Sequence, residues 1–376
     1  MGETKQKVIK EAILPKKLLP ELFEKLLPDY DIYGPVQKAK NDAYDIAPSV
    51  DKKAMDVRKK LRGNEFEKVE TADILNLEYT STVTPIKKFF IPPKEDIVKF
   101  ELENLKLKSL EDLQPDVKPF ILFGVHACDM QGLLRLDYSF IKGNPESNYL
   151  SRREKSIIVG INCIPDEYCF CEAVGAQIYD EGFDVFLTNI GQSFHVTVYT
   201  EKGLEIISKV ELYDVDDTSI KEKEKALERS RSLEGSEKFK PDYHNMPLLS
   251  KSGDDLPFWD RIGERCFSCG TCNLVCPTCY CFDVNDVMNI NIKDGTRRRF
   301  WDSCQLESFA VVAGGENFRA SRTNRNKHRF YRKFRYLMEE YGKPFCVGCG
   351  RCGRQCVADI NMIETSNLLY ENVEKI

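Results

Sequence analysis

The chain has 376 residues, 42% of them hydrophobic and 31% charged, with a formal net charge of −5. That length suits two domains, and the mild acidity argues against nucleic acid or an anionic membrane as a partner. No run reaches the ~18 apolar residues of a spanning helix and the N-terminus lacks a secretory apolar core, so a cytoplasmic protein is expected, in which 15 cysteines serve as metal ligands rather than disulfides.

Residues 1–30 read as helical, with Leu18, Leu19, Leu22, Phe23, Leu26 and Leu27 on one face. Short β-like runs follow at 30–36 and 86–91. "PFILFGVHACD" reads as a buried strand ending at Cys128, with a helix in "MQGLLRL", and "KSIIVGINC" repeats the plan to deliver Cys163. "GFDVFLTNIGQSFHVTVYT" reads as a hairpin turning at "NIGQ". Residues 1–215 are therefore expected to form a mixed α/β domain. Residues 216–257 shift to a charged helix, "SIKEKEKALERSRSLEG", and a polar, Pro-containing stretch, which we read as a linker. The fold class expected is α+β: this α/β domain, then a second domain over 258–376 whose two cysteine runs, Cys266 to Cys276 and Cys346 to Cys356, imply a two-[4Fe–4S] ferredoxin-like domain with an insertion at 277–345.

The second domain rests on "CFSCGTCNLVC", Cys266 to Cys276, and "CVGCGRCGRQC", Cys346 to Cys356. Both read C-x2-C-x2-C-x3-C. Four thiolates hold a [4Fe–4S] cube, and in two-cluster ferredoxins the fourth Cys of each run ligates the other cluster. One cube then takes Cys266, Cys269, Cys272 and Cys356; the other takes Cys346, Cys349, Cys352 and Cys276. Structural zinc prefers two C-x2-C pairs and fits two such quartets poorly. Pro277 follows the first quartet, as in simple ferredoxins, whereas Val357 follows the second. "GCGRCG" formally matches G-x-G-x-x-G but lacks the βαβ context of a dinucleotide site, so its glycines are read as giving the backbone room around a cube.

Within the insertion, "NINIKDGTRRRFWDSC" reads as two strands around an Asp-Gly turn delivering Cys304, and "QLESFAVVA" as a helix. The basic, aromatic-rich "NFRASRTNRNKHRFYRKFRYLMEEYG" can signal nucleic acid. The plainer reading is a partly solvated helix packing its Phe and Tyr inward. A third reading puts arginines such as Arg332 and Arg335 near the clusters, stabilising their reduced state or docking an acidic partner. Cys279, Cys281 and Cys304 fit either buried small hydrophobes or an extra cluster short of a fourth ligand. Cys128, Cys163, Cys169 and Cys171 offer a better quartet. Adjacent parallel strands would set Cys128 and Cys163 side by side at the carboxyl ends where open α/β sheets place sites, and the "CFC" loop adds two thiols for a third cube, against a reading as buried structural cysteines. His126 and Asp129 flank Cys128, placed to bond a cluster sulfur or simply to satisfy the turn.

"TPIKKFFIPP", "GVHACD", "YLSRREKSIIVGINC", "CFC", "CFSCGTCNLVCPTCYCFDV", "RRRFWDSCQLESFAVVAGGENFR" and "CVGCGRCGRQC" together resemble a family of iron–sulfur subunits found in anaerobic sulfite reductases and, as the β subunit, in sulfhydrogenases, the NADP-linked nickel–iron hydrogenases. The family often has Arg-Pro where this chain has His126-Ala127. The resemblance implies an electron-transfer subunit between a flavin- and NAD(P)H-binding subunit and a separate catalytic subunit, and it carries over the eight ferredoxin-type ligands. No acid–base dyad stands out, and His is limited to His126, His195, His244 and His328. A relay needs none. The alternative is a reductase acting on a sulfur compound or disulfide at an unusual cluster or reactive cysteine; a zinc-stapled nucleic-acid binder is a third class.

Overall fold

The computed structural model describes residues 6–37, 63–102, 106–107 and 117–374. Among them the strands, in chain order, are β1 (Lys10–Pro15), β2 (Asp31–Gln37), β3 (Asn64–Lys68), β4 (Lys94–Glu101), β5 (Lys106–Leu107), β6 (Phe120–Val125), β7 (Ser156–Ile161), β8 (Val185–Asn189), β9 (Ser193–Val198), β10 (Phe282–Met288) and β11 (Asp294–Trp301). Seven make one sheet in the order β1-β9-β8-β7-β6-β2-β3. Its centre, β8-β7-β6-β2, is parallel; β9 runs antiparallel to β8, β1 antiparallel to β9, and β3 antiparallel to β2.

β6 and β7 are buried along their whole length, as parallel strands covered on both faces must be. Side chains alternate between the faces. Ile121 and Phe123 join the core beneath helix Leu19–Leu26, whereas Phe120 and Leu122 join the core beneath helix Ala127–Phe140. Because β6 and β7 are parallel neighbours, with Val125 opposite Gly160, the chain leaves both at the same edge. That edge carries Cys128 and Cys163.

Several local expectations change. Of the stretch read as helical, residues 10–15 form edge strand β1 and only Leu19–Leu26 is α-helical, while residues 1–5 lie outside the described residues. The run Lys10–Pro15 finds a partner in β9, and a paired ladder overrides weak local helix preference. Ile86–Phe89 is a 3-10 turn, not a strand. Cys128 does not end a strand; it sits in the first turn of helix Ala127–Phe140. The hairpin β8–β9 turns at Ile190–Gln192 as expected, with Gly191 at φ 94.

β10 and β11 form a hairpin, but not the one read from "NINIKDGTRRRFWDSC": its first strand, Phe282–Met288, lies upstream of that stretch, residues 289–293 read as a strand are the turn, and Asp294-Gly295 already belongs to β11. Ile292 takes the left-handed conformation there, at φ 56. "QLESFAVVA" contains only the 3-10 turn Ser308–Ala310. The hairpin pairs with β4, giving a second, antiparallel sheet β10-β11-β4-β5. Arg299 and Glu95 face each other in that register. The Glu95 carboxylate, buried, accepts from Arg299 (2.5 Å), Arg152 (2.5 Å) and Asn148 (3.1 Å). This ion cluster ties residues between the two cysteine motifs to strand β4, far earlier in the chain.

Residues 217–252 carry helices Asp217–Arg229, Leu233–Lys238 and Met246–Ser252. The basic run forms helix Arg322–Phe334, packed on helix Phe258–Arg265. Phe330, Tyr331 and Phe334 point inward with Trp259, whose indole donates to Gly253 O (2.9 Å). That matches the plainer reading of the run, except that Arg325, Arg329 and Lys333 are buried too. No described helix is long and apolar enough to cross a membrane.

Candidate metal centre

Each cysteine motif wraps a loop into a four-residue helical turn, Thr271–Leu274 or Arg351–Arg354, entered through a left-handed glycine, Gly270 (φ 80) or Gly350 (φ 71). The two turns pack on each other. Cys266, Cys269 and Cys272 line one pocket together with Cys356, so the fourth thiol comes from the other motif. The Cys272 thiol is within electrostatic reach of Cys266 and Cys356. Cys346 is likewise within reach of Cys349, Cys352 and Cys276. Cys272 is within reach of Cys352 as well, so the thiols of the two motifs lie together.

Burial pushes the Cys272 thiol up to about 12 and Cys349 to about 11, and raises Cys346 as well. Thiols this desolvated ionise only when a metal takes up the charge. Among the described residues, no group of three or more His, Cys, Asp or Glu side chains closes around a single metal ion. A cube with iron at four corners takes one thiolate per iron, so its ligands stand further apart than those of one ion.

Cys128, Cys163, Cys169 and Cys171 lie near one another and near the second motif. Cys171 is within reach of Cys163, Cys169 and Cys349, and Cys128 of Cys171 and Cys349. Thiol donors are met from the segment after helix Asp217–Arg229: Cys171 Sγ donates to Ser232 Oγ (3.3 Å) and Cys163 Sγ to Ser230 O (3.7 Å). Cys349 thus stands between the second and third quartets.

Arginines of the second motif clamp these quartets together. Arg351, fully buried, pairs with buried Asp129 beside Cys128 (2.5 Å) and donates through Nε to Thr82 O (2.8 Å). Arg354 pairs with Asp166 (2.7 Å), which also accepts from the Cys169 thiol (3.4 Å). Gly348 and Gly350 make room for this contact rather than only for a cube. A Cβ on Gly348 would stand 2.4 Å from Cys171 N, and one on Gly350 2.6 Å from Tyr168 O. Arg351→Leu leaves the Asp129 carboxylate buried without its partner, and a loss of about 3–5 kcal/mol is expected, read as a lower denaturant midpoint. Asp129 is therefore committed to Arg351. His126 stacks on Tyr79 at 3.8 Å, and burial lowers its pKa to about 3, leaving a neutral ring.

Three buried cations had no motif to announce them: Lys87, Arg329 and Lys333. Burial opposes the Arg329 charge, yet Cys272, Cys352, Cys279 and Cys276 together hold its pKa well above the usual value. Lys333 is raised in the same way against its burial, by Cys276 and Cys279, and donates to Thr278 Oγ1 (2.6 Å). Lys87 donates to Cys279 O (2.8 Å) and Asn273 O (3.1 Å), and burial lowers it to about 8. Buried cations demand a compensating anion, and the groups supplying it here are cysteines rather than carboxylates. A thiolate-bound iron–sulfur group fits that demand. The signal was present as Arg325, Arg329 and Lys333 at four-residue intervals, one helical face. Arg332 and Arg335 point elsewhere: Arg332 donates to Tyr280 OH (2.6 Å), and Arg335 lies over Tyr331 (5.4 Å) and Tyr336 (5.6 Å).

Cys279, Cys281 and Cys304 line one cavity, in which Cys279 is within reach of Cys276 and Cys281, and Cys281 of Cys304.

Residues 265–360 match the family model of a 4Fe-4S dicluster domain. The chain is also 34% identical over 369 residues to Sulfhydrogenase 2 subunit beta of Pyrococcus furiosus, an alignment covering 96% of this chain and 98% of that protein. No solved structure matches it. On this identity across nearly its whole length, and with thiol quartets gathered where the dicluster domain lies, the chain belongs to the sulfhydrogenase beta subunit family.

Proposed function

We propose that this chain is the electron-relay subunit of a cytoplasmic multisubunit oxidoreductase, standing between a flavin- and NAD(P)H-binding subunit and a separate catalytic subunit of hydrogenase or sulfite-reductase type. The observation that carries the reading is the contiguity of three thiol quartets. Cys272 of the first is within reach of Cys352 of the second, and Cys349 of the second is within reach of Cys128 and Cys171 of the third.

Cys266, Cys269, Cys272 and Cys356 would hold one [4Fe–4S] cluster, Cys346, Cys349, Cys352 and Cys276 a second, and Cys128, Cys163, Cys169 and Cys171 a third. When bound, the clusters supply one-electron redox steps over a wide span of potentials, set by charge, burial and hydrogen bonds to sulfur. The chain's own residues control those variables. Arg329 and Lys333 place positive charge beside the first two quartets, and the shared cores of Trp259, Phe330 and Val347 keep water away. At the first quartet, Cys269 is exposed and Phe267 beside it is 70% exposed, which suits a port to another protein of the complex.

Anaerobic mixing tests the assignment. NAD(P)H should bleach the visible absorbance of this chain only when the flavin-binding subunit is present. Direct reduction of the isolated chain by NAD(P)H, or no bleaching with the partner, contradicts it.

A further inference from the structure

Helix Asp217–Arg229 packs over β8 and β9, and the chain at 172–181 runs beside it. Together they enclose a cavity of about 530 Å³, within the ~300–1,000 Å³ typical of small-molecule sites. Phe186, Tyr179 and Tyr199 supply aromatic walls, and Leu227 of the helix an aliphatic one. The Phe186 and Tyr179 rings stand 5.1 Å apart, centre to centre, and the Tyr199 hydroxyl donates to Tyr179 O (3.2 Å). These contacts hold the walls in position.

Two buried polar atoms of the lining lack the partners that such groups require. Thr188 on β8 is fully buried, and its hydroxyl makes no hydrogen bond among the described residues. Directly across the β8–β9 register is His195, also fully buried, neither ring nitrogen of which makes one. Glu172 gives Oε1 to Arg231, while its Oε2 is buried without a partner. A carboxylate oxygen only accepts, so Oε2 calls for an N–H or O–H donor. The lining's charge narrows the choice further. Its carboxylates, Glu172, Asp180 and Glu181, outnumber its one cation, Lys223, which Glu11 (2.6 Å) and Thr197 (3.2 Å) already hold. An anion such as a phosphate would be repelled there. An organic cation is not called for either, because Arg231 and Lys343, neither of which lines the cavity, pair with Glu172 and Glu181.

We propose that this cavity binds an uncharged planar nitrogen heterocycle, its faces against the aromatic walls, an N–H donated to Glu172 Oε2 and another edge atom bonded by the Thr188 hydroxyl. A flat ring suits walls made by two tyrosines and a phenylalanine. An edge carrying both donors and acceptors suits one carboxylate oxygen and one hydroxyl. Flavin and purine rings both present this chemistry. The site uses no cysteine, although Glu172 follows Cys171 in the chain. It goes beyond the relay reading and stands without it.

Equilibrium dialysis of the anaerobically prepared full chain against riboflavin, and separately against adenosine, tests this and tells the two ring types apart. At least one should bind saturably, one per chain. The matching probe without the N–H, 3-methylriboflavin or N6,N6-dimethyladenosine, should bind about tenfold more weakly, the factor for one hydrogen bond to a charged group. Glu172→Gln should weaken the unmethylated probe by about the same factor, and Thr188→Val should weaken it too, both at unchanged iron content. Leu227→Trp should fill the cavity and abolish binding. Neither probe bound, methylated probes bound as tightly, or affinity lost only in step with iron overturns the proposal. An iron-free wild-type chain that still binds a probe supports this site and contradicts the relay reading.

Discussion

Cys356→Ser is expected to strip the cluster held mainly by the first motif, lowering iron by about four per chain, although the residue ends the second motif. Cys276→Ser should do the converse. The pairing is diagnostic in double variants. Cys269→Ser with Cys356→Ser should lose no more iron than either alone, because both thiols line the same pocket. Cys349→Ser with Cys356→Ser should lose two clusters' worth. If each motif closes on its own cluster, the two double variants exchange their results. Crossed ligation also couples cluster binding to the packing of the two helical turns, so loss of one cluster should loosen the other's loop.

Arg329→Met is the second large effect. The guanidinium is buried among Cys272, Cys352, Cys279 and Cys276, where its charge stabilises any added electron. At a separation of roughly 6 Å and an effective dielectric of about 20, one charge is worth about 2–3 kcal/mol, or roughly 100 mV for a one-electron couple. Removing it should make the nearest cluster harder to reduce by about that amount in an EPR-monitored redox titration. Arg335→Gln, whose guanidinium lies over the Tyr331 and Tyr336 rings, should shift the potential far less. Equal shifts in the two variants would mean that net charge, not placement, sets the potential.

The chemistry-bearing cysteines were legible because cluster ligation imposes a local rhythm, and local rhythms survive in sequence. The meeting of Cys128 and Cys163 at one sheet edge was legible for a different reason. Two apolar strands each deliver a cysteine, and parallel neighbours must end at the same edge, as β6 and β7 do. What stayed hidden depends on long-range partners. Nothing near Lys10–Pro15 announces β9 as its neighbour, and nothing near Lys94–Glu101 announces β11. The Gly348 and Gly350 spaces read as room for a cube are also filled by the Tyr168–Cys171 loop, which only the folded chain brings there. The cations were placed on the wrong side of the helix: Arg332 and Arg335 stood out in sequence, whereas Arg329 and Lys333 face the thiols.

Iron and acid-labile sulfide, counted per chain in anaerobically prepared protein, test the iron–sulfur account most directly. About twelve of each is the predicted result, four per cube in three quartets; about eight would remove the third site and leave the crossed pair intact. Zinc in place of iron, or iron without sulfide, would contradict the account.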